Sequence, residues 1–172
     1  MDQNVQVSYK YTPELAEKFV FFNMYRRKPM TAILVNIFGP FLGLVSLIIT
    51  IFFTFDIMTL VLGIFLVGYP ALIYLSLKST AKRSVESNEA LRKEISFTFL
   101  KDRIRENADG VVADVLWSSV FRVYLTKKEI VLYLKANQGV YFLKSDYDSQ
   151  TLFSMEDAIL RGVDPKKIVE RR

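Results

Sequence analysis

The chain contains neither cysteine nor histidine. Without cysteine there is no disulfide framework, no thiolate nucleophile and no thiolate metal ligand. Without histidine there is no imidazole metal ligand, acid or base, and no Ser-His-Asp triad. Chemistry is left to carboxylates, lysine, tyrosine, serine and threonine. Ser118 and Ser119 have no histidine or nearby lysine as base, so nucleophilic catalysis is not expected there. The carboxylate pairs Glu156-Asp157 and Asp146/Asp148 lack the cleft and partner pair that glycoside chemistry requires. Asp148 is explained by its place at a helix start. The expectation is a protein that is not an enzyme and takes no cofactor and no metal.

Charge is also scarce. Between Lys28 and Lys78 the sole charged residue is Asp56, which separates uncharged runs at residues 29–55 and 57–77. Each run is long enough to cross a hydrocarbon core of ~30 Å at ~1.5 Å per helical residue. The reading is a transmembrane helical hairpin over 29–78, with spans at about 31–54 and 58–77. Arg26, Arg27 and Lys28 precede the first span, Lys78, Lys82 and Arg83 follow the second, and the turn around Asp56 has no basic residue. These six cations are the expected membrane-interface anchors. The positive-inside bias puts both termini in the cytoplasm, in a multi-pass protein of the cytoplasmic (inner) membrane. The opening residues show no basic stretch followed by an apolar one, so no signal peptide is expected; no lipidation motif is seen, and the first span acts as its own insertion signal.

Within the spans Gly39, Pro40 and Gly43 cluster, and Gly39–Gly43 has the small-xxx-small spacing that permits close helix approach. One reading is a dimerisation face or pore-lining kink. The other, which we favour, is packing inside the hairpin opposite Gly63 or Gly68. Pro40 and Pro70 are expected to kink their helices. No ionisable group lies mid-span, which leaves an ion or proton path little to work with.

Outside the hairpin, Val5, Val7, Tyr9 and Tyr11 alternate with polar residues as in a half-buried strand. Thr12-Pro13-Glu14 reads as a helix start, followed by Leu15, Phe19, Phe22 and Tyr25 at helical spacing. That helix either lies on the membrane surface or packs its aromatic face on the soluble domain. Residues 79–93 form a helical connector, mostly solvated, with Val85 and Leu91 as its sparse apolar groups. From Glu94 onward, short β-rich runs recur at 95–100, 104–106, 111–117, 120–126, 130–135 and 140–144, with turns at Lys101-Asp102, Asn107-Ala108-Asp109-Gly110, Lys127-Lys128-Glu129 and Asn137-Gln138-Gly139. A helix capped by Asp148 or Ser149 carries Leu152, Phe153, Ile159 and Leu160 to a C-terminal cap at Gly162, and Asp164-Pro165 restarts a short basic helix over 166–172.

A lone strand is unstable in water, so the N-terminal strand is expected to pair with the edge of the later sheet. The predicted fold is thus an α+β membrane protein. Its parts are a strand and helix at 1–28, the inserted hairpin, the connector, and a β-rich domain at 94–172 ending in helices. Seven strands and a closing helix match the inventory of a pleckstrin-homology-like (PH-like) sandwich or partly open barrel.

The layout resembles that of the YcxB-like membrane proteins of bacteria. The resemblance rests on the order of elements, on Leu116-Trp117-Ser118-Ser119-Val120, which matches the family's Trp-Ser pair, and on residues 140–147, where Leu143 stands in place of the usual proline. It implies a membrane location and a PH-like domain. The family has no established activity to carry over.

Trp117, the single tryptophan, reads as a core anchor. Lys101, Arg103 and Arg105 alternate along a turn and strand, and Lys127 and Lys128 mark a hairpin tip. These five are the candidate contacts for a lipid headgroup or partner, against the plainer reading of solvated basic faces. A net charge of +5 suits residence beside an anionic leaflet and is too small for nucleic-acid binding. The expected partners are the lipid bilayer and a protein partner or homo-oligomer. The favoured function is a membrane-anchored interaction or scaffolding module. The alternative is a small oligomeric transport or permeability protein with a polar stripe through Asn36, Ser46 and Thr50 facing a path.

Overall fold

The computed structural model describes residues 4–54, 56–88, 93–136 and 138–171. Phe55, Leu91, Asn137 and Arg172, which figure in the expectations above, lie outside that set. The chain forms two compact units: a β unit from Met1–Tyr11 and Glu89–Arg172, and a helical unit from Thr12–Asn88. It is an α+β chain with two long apolar helices.

In the β unit, β1 (Val5–Lys10), β2 (Glu94–Phe99), β3 (Arg103–Ala108) and β4 (Val111–Leu116) form an antiparallel meander in sequence order. The chain leaves for the whole helical unit between β1 and β2. It returns to pair Val5 with Phe99 and Lys10 with Glu94. The β3–β4 turn is Asp109-Gly110, both at positive φ (53° and 81°). Two left-handed residues in a two-residue loop give the primed turn whose twist matches the strands it joins. That turn fixes the register, Ala108 to Val111 and Arg105 to Asp114.

The second sheet has the order β7-β6-β5-β8, from β5 (Arg122–Thr126), β6 (Glu129–Lys135), β7 (Gln138–Leu143) and β8 (Ile168–Arg171). β8 corrects the sequence reading of a helix over 166–172. A single tight turn at Pro165–Lys167 leads into a strand parallel to β5, with Ile168 beside Val123. Ile168 and Val169 are β-branched, stiff at χ1 and better housed on a pleated surface than in a helix. Most strands start or stop a residue or two from the expected positions, and Trp117 falls in a one-turn helix, Trp117–Ser119, rather than in β4.

The core lies between these layers. Val7, Tyr9, Ile95, Phe97, Phe99 and Ile104 are buried in the meander, and Val123, Ile130, Leu132 and Phe142 in the other sheet. The Phe142 ring meets Tyr9, Phe97 and Phe99 at centroid separations of 5.2, 5.7 and 6.3 Å. Helix α4 (Ser149–Gly162; numbered after three helices of the other unit) is capped by Asp148, which accepts from the amides of Gln150 and Thr151, and buries Met155 and Ile159. Gly162 is its last residue and Val163 its cap, in extended rather than left-handed backbone. The glycine is needed for another reason: a Cβ there would meet the Trp117 ring at 2.5–2.6 Å. Small size, not φ freedom, selects it.

In the helical unit, α1 (Pro13–Phe22) starts at Thr12, whose hydroxyl accepts from the Leu15 amide. It continues through a wide turn, Asn23–Arg27. The two apolar helices are α2 (Pro29–Phe53) and α3 (Ile57–Glu86), both long and apolar enough to cross a membrane, with mean hydropathy of 2.3 and 2.2 over their best windows. α3 starts at Asp56, whose carboxylate accepts from the amides of Met58 and Thr59. It carries the connector without a break to Glu86. Ala81 and Val85 are buried and residues 79, 80, 82–84 and 86–88 exposed, as a mostly solvated connector requires.

α1 has a helical neighbour that neither expectation for it named. It packs along α3, with Phe21 against Tyr74 (5.1 Å between rings) and Glu17 beside Lys78 (3.9 Å). It therefore belongs to the helical unit, not with the strand that precedes it. In α2 a wide turn, Leu34–Phe38, ends where the Gly39 amide bonds the Leu34 carbonyl. It stands just ahead of Pro40, which lacks an amide to continue the ladder. α3 runs through Pro70 as one helix.

Candidate interaction surface

Strand alternation puts Arg103 and Arg105 on the outer face of β3, and the primed turn brings Asp114 of β4 across from Arg105. Arg105 Nε and Nη2 donate to the two carboxylate oxygens of Asp114 at 2.8 and 3.0 Å. Arg103 Nη1 donates to the same carboxylate at 3.2 Å, and its Nη2 to Asp102 at 2.6 Å. Hydrogen bonds from Arg105 and Arg103 hold Asp114 down at about 2, and those from Arg103 lower Asp102. The expected basic stripe is thus a mixed network in which two carboxylates answer two guanidiniums. Lys101 stands exposed in the β2–β3 turn.

Lys127 and Lys128 are exposed at the β5–β6 turn, on the other sheet, and so form no patch with the first three. Thr126 pins that turn, its hydroxyl accepting from the amides of Lys128 and Glu129. Sequence reasoning sets Asp102 and Glu106 against this charge but passes over Asp114, the carboxylate both guanidiniums share. The signal was present in Asp109-Gly110, since a two-residue turn sets which residues of the flanking strands face each other.

Of the cations that bracket the apolar helices, Arg26, Arg27, Lys78 and Lys82 have local side-chain partners. The Arg26 guanidinium lies 5.9 Å from the Phe22 ring, and Arg27 donates to Asn23 Oδ1 at 3.3 Å. Lys28 sits at the break before α2, exposed. Lys78 faces Glu17 and Lys82 faces Glu86 at 3.7 Å. Arg83 is exposed, and its carbonyl accepts from the Ser87 amide and hydroxyl.

Between α2 and α3, Gly43 and Gly63 meet. A Cβ on Gly43 would stand 2.8 Å from the Gly63 carbonyl oxygen, and one on Gly63 2.7 Å from Leu47 Cγ. Gly39 is looser, its nearest neighbour the Leu34 carbonyl at 3.6 Å, and Gly68 has nothing within 4 Å. Among the polar groups of these helices, Ser46 and Asn36 hydrogen-bond within the same unit. Ser46 Oγ donates to the Thr59 carbonyl (3.0 Å), Asn36 Nδ2 to the Ala32 carbonyl (2.8 Å), and Tyr25 to Asn36 Oδ1 (3.4 Å). Thr50 is 4% exposed.

Trp117 is buried. Its indole donates to the Leu100 carbonyl (2.9 Å), its amide bonds the Asp102 carbonyl, and its ring lies 6.1 Å from Phe99. It thereby ties the β2–β3 turn to the end of α4. A shallow polar depression of about 620 Å³ on the outer face of the meander is lined by Gln6, Ser8, Glu94, Ser96, Asn107 and Asp109. Its carboxylates are engaged, Glu94 by Ser8 and Asp109 by Lys93. No family model matches the chain, and neither a curated protein nor a solved structure matches it.

Proposed function

We propose that the protein is a membrane-anchored interaction module of the cytoplasmic membrane, without catalysis, in which the apolar hairpin holds a PH-like β unit at the inner face. The observation that carries this reading is the exposure of the apolar helices. Only 11% of the α2 window and 6% of the α3 window are buried. Ile37, Phe38, Phe41, Leu44, Ile48, Val61, Leu62, Phe65, Leu72 and Leu75 all point outward, each 51–60% exposed. A core helix of a water-soluble protein buries such residues, and a lipid-facing one has no need to. The four-strand meander, the three-strand meander and the closing helix support the PH-like assignment, to which β8 is an addition. The same layout is what membership of the YcxB-like family implies.

The neutralised Arg103–Asp114–Arg105 network favours a protein partner over an anionic headgroup. The transport alternative asks for Asn36, Ser46 and Thr50 along a path; the bonds of Asn36 and Ser46 to backbone carbonyls and the burial of Thr50 support the module reading instead. Chemical cross-linking with mass spectrometry on native membranes tests the reading. Reproducible links from lysines of the β unit to one protein support the module. Links confined to the apolar helices of a ring of identical copies overturn it in favour of transport.

A further inference from the structure

Four strand edges end the two sheets, and three are guarded. The Ser8 carbonyl of β1 accepts from the Tyr147 hydroxyl. β7 is held on a bulged neighbour, since Tyr133 and Lys135 of β6 face its consecutive residues Gly139 and Gln138. β8 is four residues long. Short strands, bulges, edge lysines and covering segments are the usual protections against unwanted pairing. Among the described residues β4 has none of them. It is six residues long, pairs with β3 in unbroken register, and contains no lysine or proline. Val111 is 71%, Val112 54% and Leu116 50% exposed.

From this edge we infer that β4 is a pairing surface for β4 of a second copy of this chain. The inference rests on the module reading above and names that module's partner. Next to a two-residue turn the flanking residues bond each other, so the odd-numbered residues of β4 bond β3 and the amides and carbonyls of Val112, Asp114 and Leu116 point outward. Antiparallel pairing of two such edges must set even residues against even ones. Two properties of β4 then select one register.

A two-fold centred on Asp114 would set two carboxylates face to face. One centred on Ala113 sets Val112 against Asp114 and brings Val111, Ala113 and Val115 of one copy against Val115, Ala113 and Val111 of the other. That is a self-complementary apolar stripe on the face of the sheet that carries Ile104. The edge's single charge does not repel the second copy, because Arg103 and Arg105 answer Asp114 in place. Confinement of both copies to one membrane raises their effective concentration, so a short edge suffices.

The absence of cysteine from the natural chain gives a clean test. At the proposed axis the two Ala113 form a non-hydrogen-bonded pair with Cα atoms about 4.5 Å apart, within the span a disulfide bridges. Full-length Ala113→Cys in isolated membranes, treated with a mild oxidant, should give a disulfide-linked dimer at least about tenfold more abundant than Ser96→Cys, which lies on the outer face of β2 away from the edge. Adding Val111→Lys, at an exposed position where folding is not at stake, should remove most of that dimer. A monomeric Ala113→Cys, a dimer untouched by Val111→Lys, or a link to some other protein each overturns the proposal. Asp56→Cys, labelled from outside by an impermeant maleimide, reports separately on the membrane reading, so failure of one is not failure of the other.

Discussion

Trp117 and Gly162 show how one residue's identity is set by another's bulk. The indole has three constraints: a hydrogen bond to Leu100, the Phe99 ring, and the α-carbon of Gly162. Since the Cβ of an alanine at 162 would fall inside the ring's contact distance, and the ring cannot retreat without losing its hydrogen bond, Gly162→Ala should destabilise the β unit by about 1–3 kcal/mol. Denaturant unfolding of the detergent-solubilised chain, followed by the fluorescence of the single tryptophan, measures it; an unchanged midpoint counts against this packing.

Glu106 is a second such case. It sits on the same face of β3 as Ile104, opposite Phe97, and burial raises its carboxyl above the usual range. A group whose folded value is raised holds its proton more tightly in the folded state. Its stabilising contribution is complete below the unfolded value, about 4.3 for glutamate, and is lost as pH rises through the folded value. Glu106→Gln should therefore be more stable than the natural chain at neutral pH and should flatten the fall in stability over that window. Unfolding midpoints taken across pH 4 to 7 decide it.

At the scale of elements, the hairpin distinguishes glycines that look alike in sequence. Gly43 is in backbone contact with Gly63, while Gly68 faces open space. Gly43→Ala forces two helix backbones apart and should cost about 1–3 kcal/mol. Gly68→Ala meets nothing and should be neutral, or up to about 1 kcal/mol favourable through helix propensity. Thermal unfolding of the two variants in the same detergent separates these outcomes, and equal effects would contradict the Gly43–Gly63 contact.

The same comparison marks what could be read beforehand. The runs of strands, the Asp109-Gly110 turn, the Asp148 cap and the long apolar helices were legible because each rests on local chemistry: periodicity, positive φ, side-chain capping and length. β8 was not, since four residues at the end of a chain become a strand only because β5 offers them an edge. The packing of α1 on α3 was not, because its aromatic stripe is equally suited to lipid, a sheet or a helix. The quenching of Arg103 and Arg105 was legible in principle from the turn register. It was missed because charge was counted along the strand and not across it.

At the scale of the whole molecule, the placement of charge makes the sharpest demand. Six basic residues border the apolar helices at the ends joined to the β unit, and the opposite end carries Asp56 alone. Moving a lysine or arginine through the bilayer centre costs several kcal/mol, and the bias in short flanking segments sets orientation. If the hairpin spans the membrane as we propose, single cysteines should divide by sidedness. Asp56→Cys should react with an impermeant maleimide in intact cells, whereas Lys101→Cys and Lys127→Cys should react only after the membrane is opened. Replacing Asp56 with a pair of lysines, and the six flanking cations with glutamine, should weaken or invert that pattern. Labelling of position 101 or 127 in intact cells would place the β unit outside, and equal labelling of all three would remove the hairpin from the bilayer altogether. Because β1 and β2 are adjacent strands on either side of the helical unit, the two ends of the hairpin must return to one sheet. An odd number of crossings would pull Lys10 and Glu94 apart, so the pairing of those strands and the sidedness of the labels stand or fall together.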